Sequence, residues 1–127
     1  MRTHIVPYQV SLKLKSLGFD VPTLYGYDTL GSLYYSGDNV FHYTDYNKME
    51  SGFNVSAPLY AQAFHWFKVK YGFYADLFVD DDKTFGYLIS YFTDDARICK
   101  PIFRGFNTYE ESEVDCVLRL IEIVKKK

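Results

Sequence analysis

TYEESEVDCVLRLIEIVKKK, residues 108–127, is the stretch that organises this chain. Thr108 followed three positions later by Glu111 is a capping-box pattern, in which each side chain satisfies the other residue's backbone N–H. Glu110, Glu111 and Glu113 fall in the first turns, where the helix dipole favours negative charge. Lys125, Lys126 and Lys127 fall at the end that favours positive charge. At about 100° per residue, Val114, Val117, Leu118, Ile121 and Val124 form one apolar stripe, and Cys116, Leu120 and Ile123 form a second beside it. Only Asp115, Arg119, Glu122 and Lys126 make a clearly polar edge. A helix apolar around so much of its circumference must be covered on more than one side. Either it lies between a sheet and another helix, or the second stripe is a contact with another subunit. Cys116, Leu120 and Ile123 are therefore the candidate interface residues.

Working back from this helix, two strands are expected over Phe73–Val79 and Thr84–Phe92, joined by Asp80-Asp81-Asp82-Lys83. Phe73, Ala75, Leu77 and Val79 alternate onto one face, as do Phe85, Tyr87, Ile89 and Tyr91 in the partner. This is the clearest hairpin in the chain. Ile98–Phe103 adds a further strand, at an edge because it contains Pro101. Ser56-Ala57-Pro58 is expected to open a second helix, with Ser56 as N-cap and Gly72 as its end. Near the start, Val10, Leu14 and Leu17 recur at helical spacing over 8–17, Pro7 is tolerated in the first turn and Gly18 follows as a C′ residue. Leu24–Tyr27 and Leu33–Tyr35 flank Asp28–Ser32 and predict a short hairpin. Helix, glycine and hairpin thus occur twice, with poor residue identity between the halves. The expected fold is α+β: a two-layer, antiparallel sheet of four to five strands packed against two to three helices.

Bulk properties narrow the function classes. The 127 residues fit a single domain, 1–127, that needs no disulfide or metal staple. A net charge of −2 argues against non-specific nucleic-acid binding. Two cysteines, Cys99 and Cys116, make no disulfide framework, and Cys116 sits within an apolar stripe. The N-terminus has no signal-peptide core, and no run approaches the roughly 20 apolar residues that span a bilayer. The default compartment is cytoplasmic and reducing, with no membrane association. Aromatics are the outlier: 13 Tyr, 11 Phe and 1 Trp make 20 % of the chain. Phenylalanine in the core with tyrosine at its edges accounts for this, as does a tyrosine-rich recognition surface.

Residues 36–56, SGDNVFHYTDYNKMESGFNVS, lack periodicity, and a loop so long is uncommon in a compact domain. It either hides a strand, at Val40–Tyr43, or is a functional segment. His42, Tyr43, Asp45 and Tyr46 are its candidate site residues, since a histidine near a carboxylate can act as a general base. No nucleophile accompanies them, and a surface loop without catalysis accounts for them better. His4 and His65 complete no ligand set, so no metal is expected. Asp80–Asp82 lacks the glycine and later glutamate of a calcium loop and suits a hydrophilic hairpin tip. No phosphate-binding loop or nucleophile elbow is present, and no cofactor is expected. Tyr25, Tyr27, Tyr34, Tyr74, Tyr87 and Tyr91 could form a base-stacking face, although Lys and Arg are sparse around them.

Three stretches together carry a resemblance: SLKLKSLGFDVPTLYGYD over 11–28, SAPLYAQAFHWFKVKYGFY over 56–74, and the closing 108–127 segment. Their order and spacing are similar to a family of small uncharacterised proteins of gut bacteria and of their phages and mobile elements. The matching positions are Leu14, Lys15, Leu17, Gly18 and Phe19, then Ala57, Pro58, Ala63 and Trp66, then Thr108–Glu111 and Leu120–Lys125. Leu59 stands where that family often has a polar residue, and Ser112 where it often has alanine. The resemblance implies a stand-alone accessory protein of phage or mobile-element type and carries over no functional residues. With the doubly apolar helix and the aromatic excess, it leads to a non-enzymatic protein that binds another protein or a second copy of itself. A single-stranded nucleic-acid binder is the alternative.

Overall fold

Proline has no amide hydrogen to donate, and a helix start is where that loss costs nothing. Accordingly Pro7 occupies the N-cap of α1, Tyr8–Leu17. The helix ends as its glycine predicts. Gly18 adopts φ 98°, and the Gly18 and Phe19 amides donate to the Lys15 and Leu14 carbonyls, each at 3.0 Å. This is a Schellman closure. The computed structural model describes residues 4–35, 44–48 and 54–126. Within it the chain divides into two compact units, Met1–Gln62 and Ala63–Lys127.

In the first unit, β1 (Tyr25–Tyr27) pairs antiparallel with β2 (Leu33–Tyr35) on one side and with β3 (Val55–Ala57) on the other. The β1–β2 turn is held by Asp28, whose Oδ1 accepts from the amides of Leu30 and Ser32, each at 2.9 Å. The core of this unit is Ile5, Tyr27, Val55 and Ala57, with Tyr8, Leu12, Tyr25 and Leu33 packed against it. Ser56 therefore lies in a strand, which corrects the expectation that it caps the second helix. Asn47 explains the difference: its Oδ1 accepts from the Ser56 amide at 2.9 Å, and its own amide donates to the Ser56 hydroxyl at 3.3 Å. The second helix, α2, begins only at Tyr60 and runs to Tyr71. Gln62 Oε1 takes the Leu59 amide at 2.9 Å, supplying the backward half of a capping box.

In the second unit, β4 (Tyr74–Val79), β5 (Phe85–Phe92) and β6 (Arg97–Phe106) form an antiparallel sheet in the order β4-β5-β6. The aspartate run is the tip of the β4–β5 hairpin, where Asp82 Oδ1 accepts from the Thr84 amide at 3.1 Å and its hydroxyl at 2.6 Å. β6 is the expected edge strand, longer than predicted. Its register slips twice: Ile89 faces both Lys100 and Pro101, and Gly86 faces both Arg104 and Gly105. Each slip is a bulge, the usual device for ending the regularity of an exposed edge. At Gly86 a Cβ would lie 2.4 Å from the Phe103 carbonyl oxygen, so only glycine fits there.

The class is α+β, but the single sheet of four to five strands is corrected to two sheets of three. The reason is β3: by pairing along β1 it completes the first hairpin as a sheet of its own. The closing helix, α3, spans Tyr109–Lys125 and packs on β4, β5 and β6. The Thr108 hydroxyl accepts from the Glu111 amide at 3.1 Å, as the capping pattern requires. Glu111 reaches back one residue further than expected, to the Asn107 amide at 3.3 Å.

Candidate functional site

On α3, Cys116 and Leu120 are 0 % exposed within the chain itself, whereas Ile123 is half-buried. Of the three candidate interface residues, only Ile123 keeps surface that another molecule can touch. The buried face also includes Ser112, Glu113, Val117 and Ile121. The helix is fastened to the sheet by a polar contact in the midst of this apolar packing. The Tyr87 hydroxyl, on β5, donates to Asp115 Oδ2 at 2.5 Å. Burial raises the Tyr87 phenol far above its ordinary range and the adjacent carboxylate adds to this, so Tyr87 stays protonated. Phe103 and Phe106 lie against its ring at 5.3 and 5.9 Å, and the Arg119 guanidinium sits 4.5 Å from the Phe103 centroid. The Tyr87 oxygen beside it, with Asp115 and Glu122 adding to the effect, holds the Arg119 guanidinium above its ordinary pKa. This arrangement holds an element in place. Burial likewise pushes the Cys116 thiol well up, which leaves it unreactive. Cys99 is exposed and free.

The loop candidates separate. His42 and Tyr43 lie outside the described residues, as does the Val40–Tyr43 strand. Tyr46 is a core residue, 0 % exposed: its hydroxyl donates to the Leu24 carbonyl at 3.2 Å, and its ring meets Tyr34 edge-on at 5.4 Å. It fits because residue 26 is glycine, where a Cβ would come within 2.8 Å of the ring. Asp45 is half-buried, 3.9 Å from the Lys48 ammonium, and neither of its oxygens has a hydrogen-bond partner among the described residues. Residue 45 thus starts the short 3-10 turn Tyr46–Lys48 that delivers Asn47 to β3. Among the described residues no group of three or more His, Cys, Asp or Glu could hold a metal ion.

The tyrosine face is corrected. Tyr25, Tyr27 and Tyr34 belong to the first sheet and Tyr74, Tyr87 and Tyr91 to the second. Tyr87 is buried at 0 % and Tyr27 at 8 %, so these two rings are core and offer no face for a base to stack on.

Two surfaces of the second unit remain. The sheet face turned away from α3 carries Phe92 at 63 % and Ile102 at 49 % exposure, with Tyr74, Phe78 and Leu88 half-buried between them. Tyr74 and Phe92 pair edge-on at 5.7 Å. Charges of both signs fringe this face. Arg97 Nη2 lies 3.6 Å from Asp76 Oδ2 and donates to the Ser90 hydroxyl at 3.3 Å. Arg104 Nη1 donates to Asp80 Oδ1 at 3.1 Å while its guanidinium lies 5.4 Å from the Phe78 ring centre. The second surface is a groove on the α3 side, lined by Phe73, Ile89, Tyr91, Lys100, Pro101 and Ile123, with a volume of about 330 Å³. Sequence reasoning located neither. Their signals, exposed Phe92 and Ile102 and the bulged Lys100-Pro101, depend on which side of a sheet the helix covers.

Comparison of the chain with protein-family models, with curated proteins and with solved structures finds no match. No helix among the described residues is long and apolar enough to cross a membrane.

Proposed function

We propose that this chain is a non-enzymatic accessory protein, of the phage or mobile-element type its sequence resembles, that acts by protein–protein contact. The contact surface is the sheet face carrying Phe92 and Ile102, and its occupant is a second copy of the chain. One observation supports this reading above the rest: a three-stranded sheet packed by its helix on one face presents large apolar side chains to solvent on the other. Contiguous exposed apolar surface rimmed by polar groups is the mark of an interaction site. The fringe favours self-pairing, because Arg97 and Arg104 share the face with Asp76 and Asp80. Because these arginines and aspartates already pair within the chain, the rim carries no single-signed charge to repel an identical face brought against it by a two-fold axis.

The test is native mass by light scattering, with Ile102→Asp as the comparison. Ile102 is half exposed, so the substitution leaves the interior alone. The wild-type chain is expected at twice 14.9 kDa, and the variant at 14.9 kDa with unchanged circular dichroism. A wild-type protein that stays at the mass of one chain over all accessible concentrations rejects self-association. Tyr74, Phe92, Lys68 and Arg97 lie close enough to support the alternative, single-stranded nucleic-acid binding by base stacking. In that case a mixed oligonucleotide binds with a steep salt dependence, and Phe92→Ala weakens it.

A further inference from the structure

The groove on the α3 side of the second sheet has the make-up of a small-molecule site, and it lies on the opposite face from the proposed contact surface. Its walls come from elements already fixed by packing. Ile89 is a fully buried β5 residue, Phe73 is 3 % exposed, and its ring meets Tyr91 edge-on at 5.9 Å. Ile123 contributes the last apolar wall from the end of α3. At about 330 Å³ the groove falls at the small end of the range for ligand pockets, which are mostly apolar with a few placed polar groups.

The polar groups here are two. Lys100 reaches the groove because of the bulge: with Lys100 and Pro101 both set opposite Ile89, strict alternation is suspended, and both residues line the same space. Re-aiming a side chain in this way is a recurrent use of bulges beside binding sites. The second group is the Tyr91 hydroxyl. Neither the Lys100 ammonium nor the Tyr91 hydroxyl makes a hydrogen bond or ion pair with a described residue, in a strand whose two arginines, Arg97 and Arg104, are both paired. A lysine and a phenol beside an apolar trough are complementary to an anionic head on a hydrocarbon tail.

We propose that this groove binds a small apolar carboxylic acid, with its hydrocarbon part against Phe73, Ile89, Pro101 and Ile123 and its carboxylate at Lys100 and Tyr91. The probe is octanoate, with octan-1-ol as its neutral counterpart, titrated into the full chain and followed by amide shifts of Ile89, Tyr91 and Ile123. Octanoate is expected to move these amides saturably, and octan-1-ol to bind more weakly by about tenfold or more, the usual worth of a charge-assisted contact. Lys100→Met keeps the apolar stem on an exposed side chain and should lose the same factor. Ile123→Trp fills the groove and should abolish binding while far-ultraviolet circular dichroism stays native. The proposal is overturned if octanoate moves no groove amide at millimolar concentration. It is equally overturned if Lys100→Met binds as tightly as wild type, or if octan-1-ol binds as well as octanoate. Stronger binding of a short peptide ending in a leucine carboxylate would also overturn it, by assigning the groove to a chain terminus.

Discussion

Glu113 shows how a single residue can set a protein's response to pH. It lies on the buried side of α3 at 8 % exposure, where desolvation, with Glu110 nearby, raises its carboxyl from 4.5 to about 7. The folded chain therefore holds a proton that the unfolded chain releases. For a carboxyl raised on folding, the native state binds more protons between the two values, so stability falls as pH rises through that window. The favourable contribution is complete below about 4.5 and lost through about 7. Glu113→Gln mimics the protonated form at every pH. The two proteins should melt at similar temperatures near the lower value, and the variant should melt higher above the upper one. Thermal melts across that range check this, and a melting difference independent of pH would show that Glu113 does not titrate on folding.

At the scale of elements, α3 is the part of the fold most exposed to test. Thr108→Ala removes the acceptor of the Glu111 amide and should cost about 1 kcal/mol, as N-cap deletions do. Leu120→Ala removes a side chain with no exposed surface and should cost about 2–5 kcal/mol. Leu120→Asp should prevent folding, because it puts a charge where the chain itself leaves no water. Denaturant titrations measure all three. The helix was legible in the sequence because its caps, charges and period are local. So were α1 with Gly18, the β1–β2 and β4–β5 hairpins, and Pro101 at an edge. What escaped was long-range. Val55–Ala57 becomes a strand only by pairing with Tyr25–Tyr27, some thirty residues earlier. Asn47, which helps hold it there, shows no periodic signal at all. The core role of Tyr46 depends on the missing Cβ of Gly26, twenty positions away. The stripe Cys116-Leu120-Ile123 was visible as apolar, but its division into two buried residues and one groove residue depends on where β5 and β6 pass beneath the helix. The bulge at Lys100-Pro101 is a property of register, and no composition encodes register alone.

For the whole molecule, the question is what a chain with 20 % aromatic residues does with rings its own core does not use. Many are absorbed: Phe19, Tyr46, Trp66, Phe67, Phe73 and Tyr87 are buried. Phe92 is not, and it shares with Ile102 a sheet face whose partly covered neighbours continue the same apolar surface. Leaving that surface in water forfeits roughly 25 cal/mol for every Å² that a partner could cover. A second copy that covers it adds free energy to the folded state alone, and by mass action its effect grows with protein concentration. The melting temperature should therefore rise across a hundredfold increase in concentration for the wild-type chain. It should stay fixed for Ile102→Asp, whose charge would be buried without a partner at such an interface. Differential scanning calorimetry over that range separates the two cases. A wild-type melting temperature that does not move with concentration would leave the exposed face without a self-contact to explain it. Oligonucleotide binding at low salt would then become the measurement that decides what the face is for.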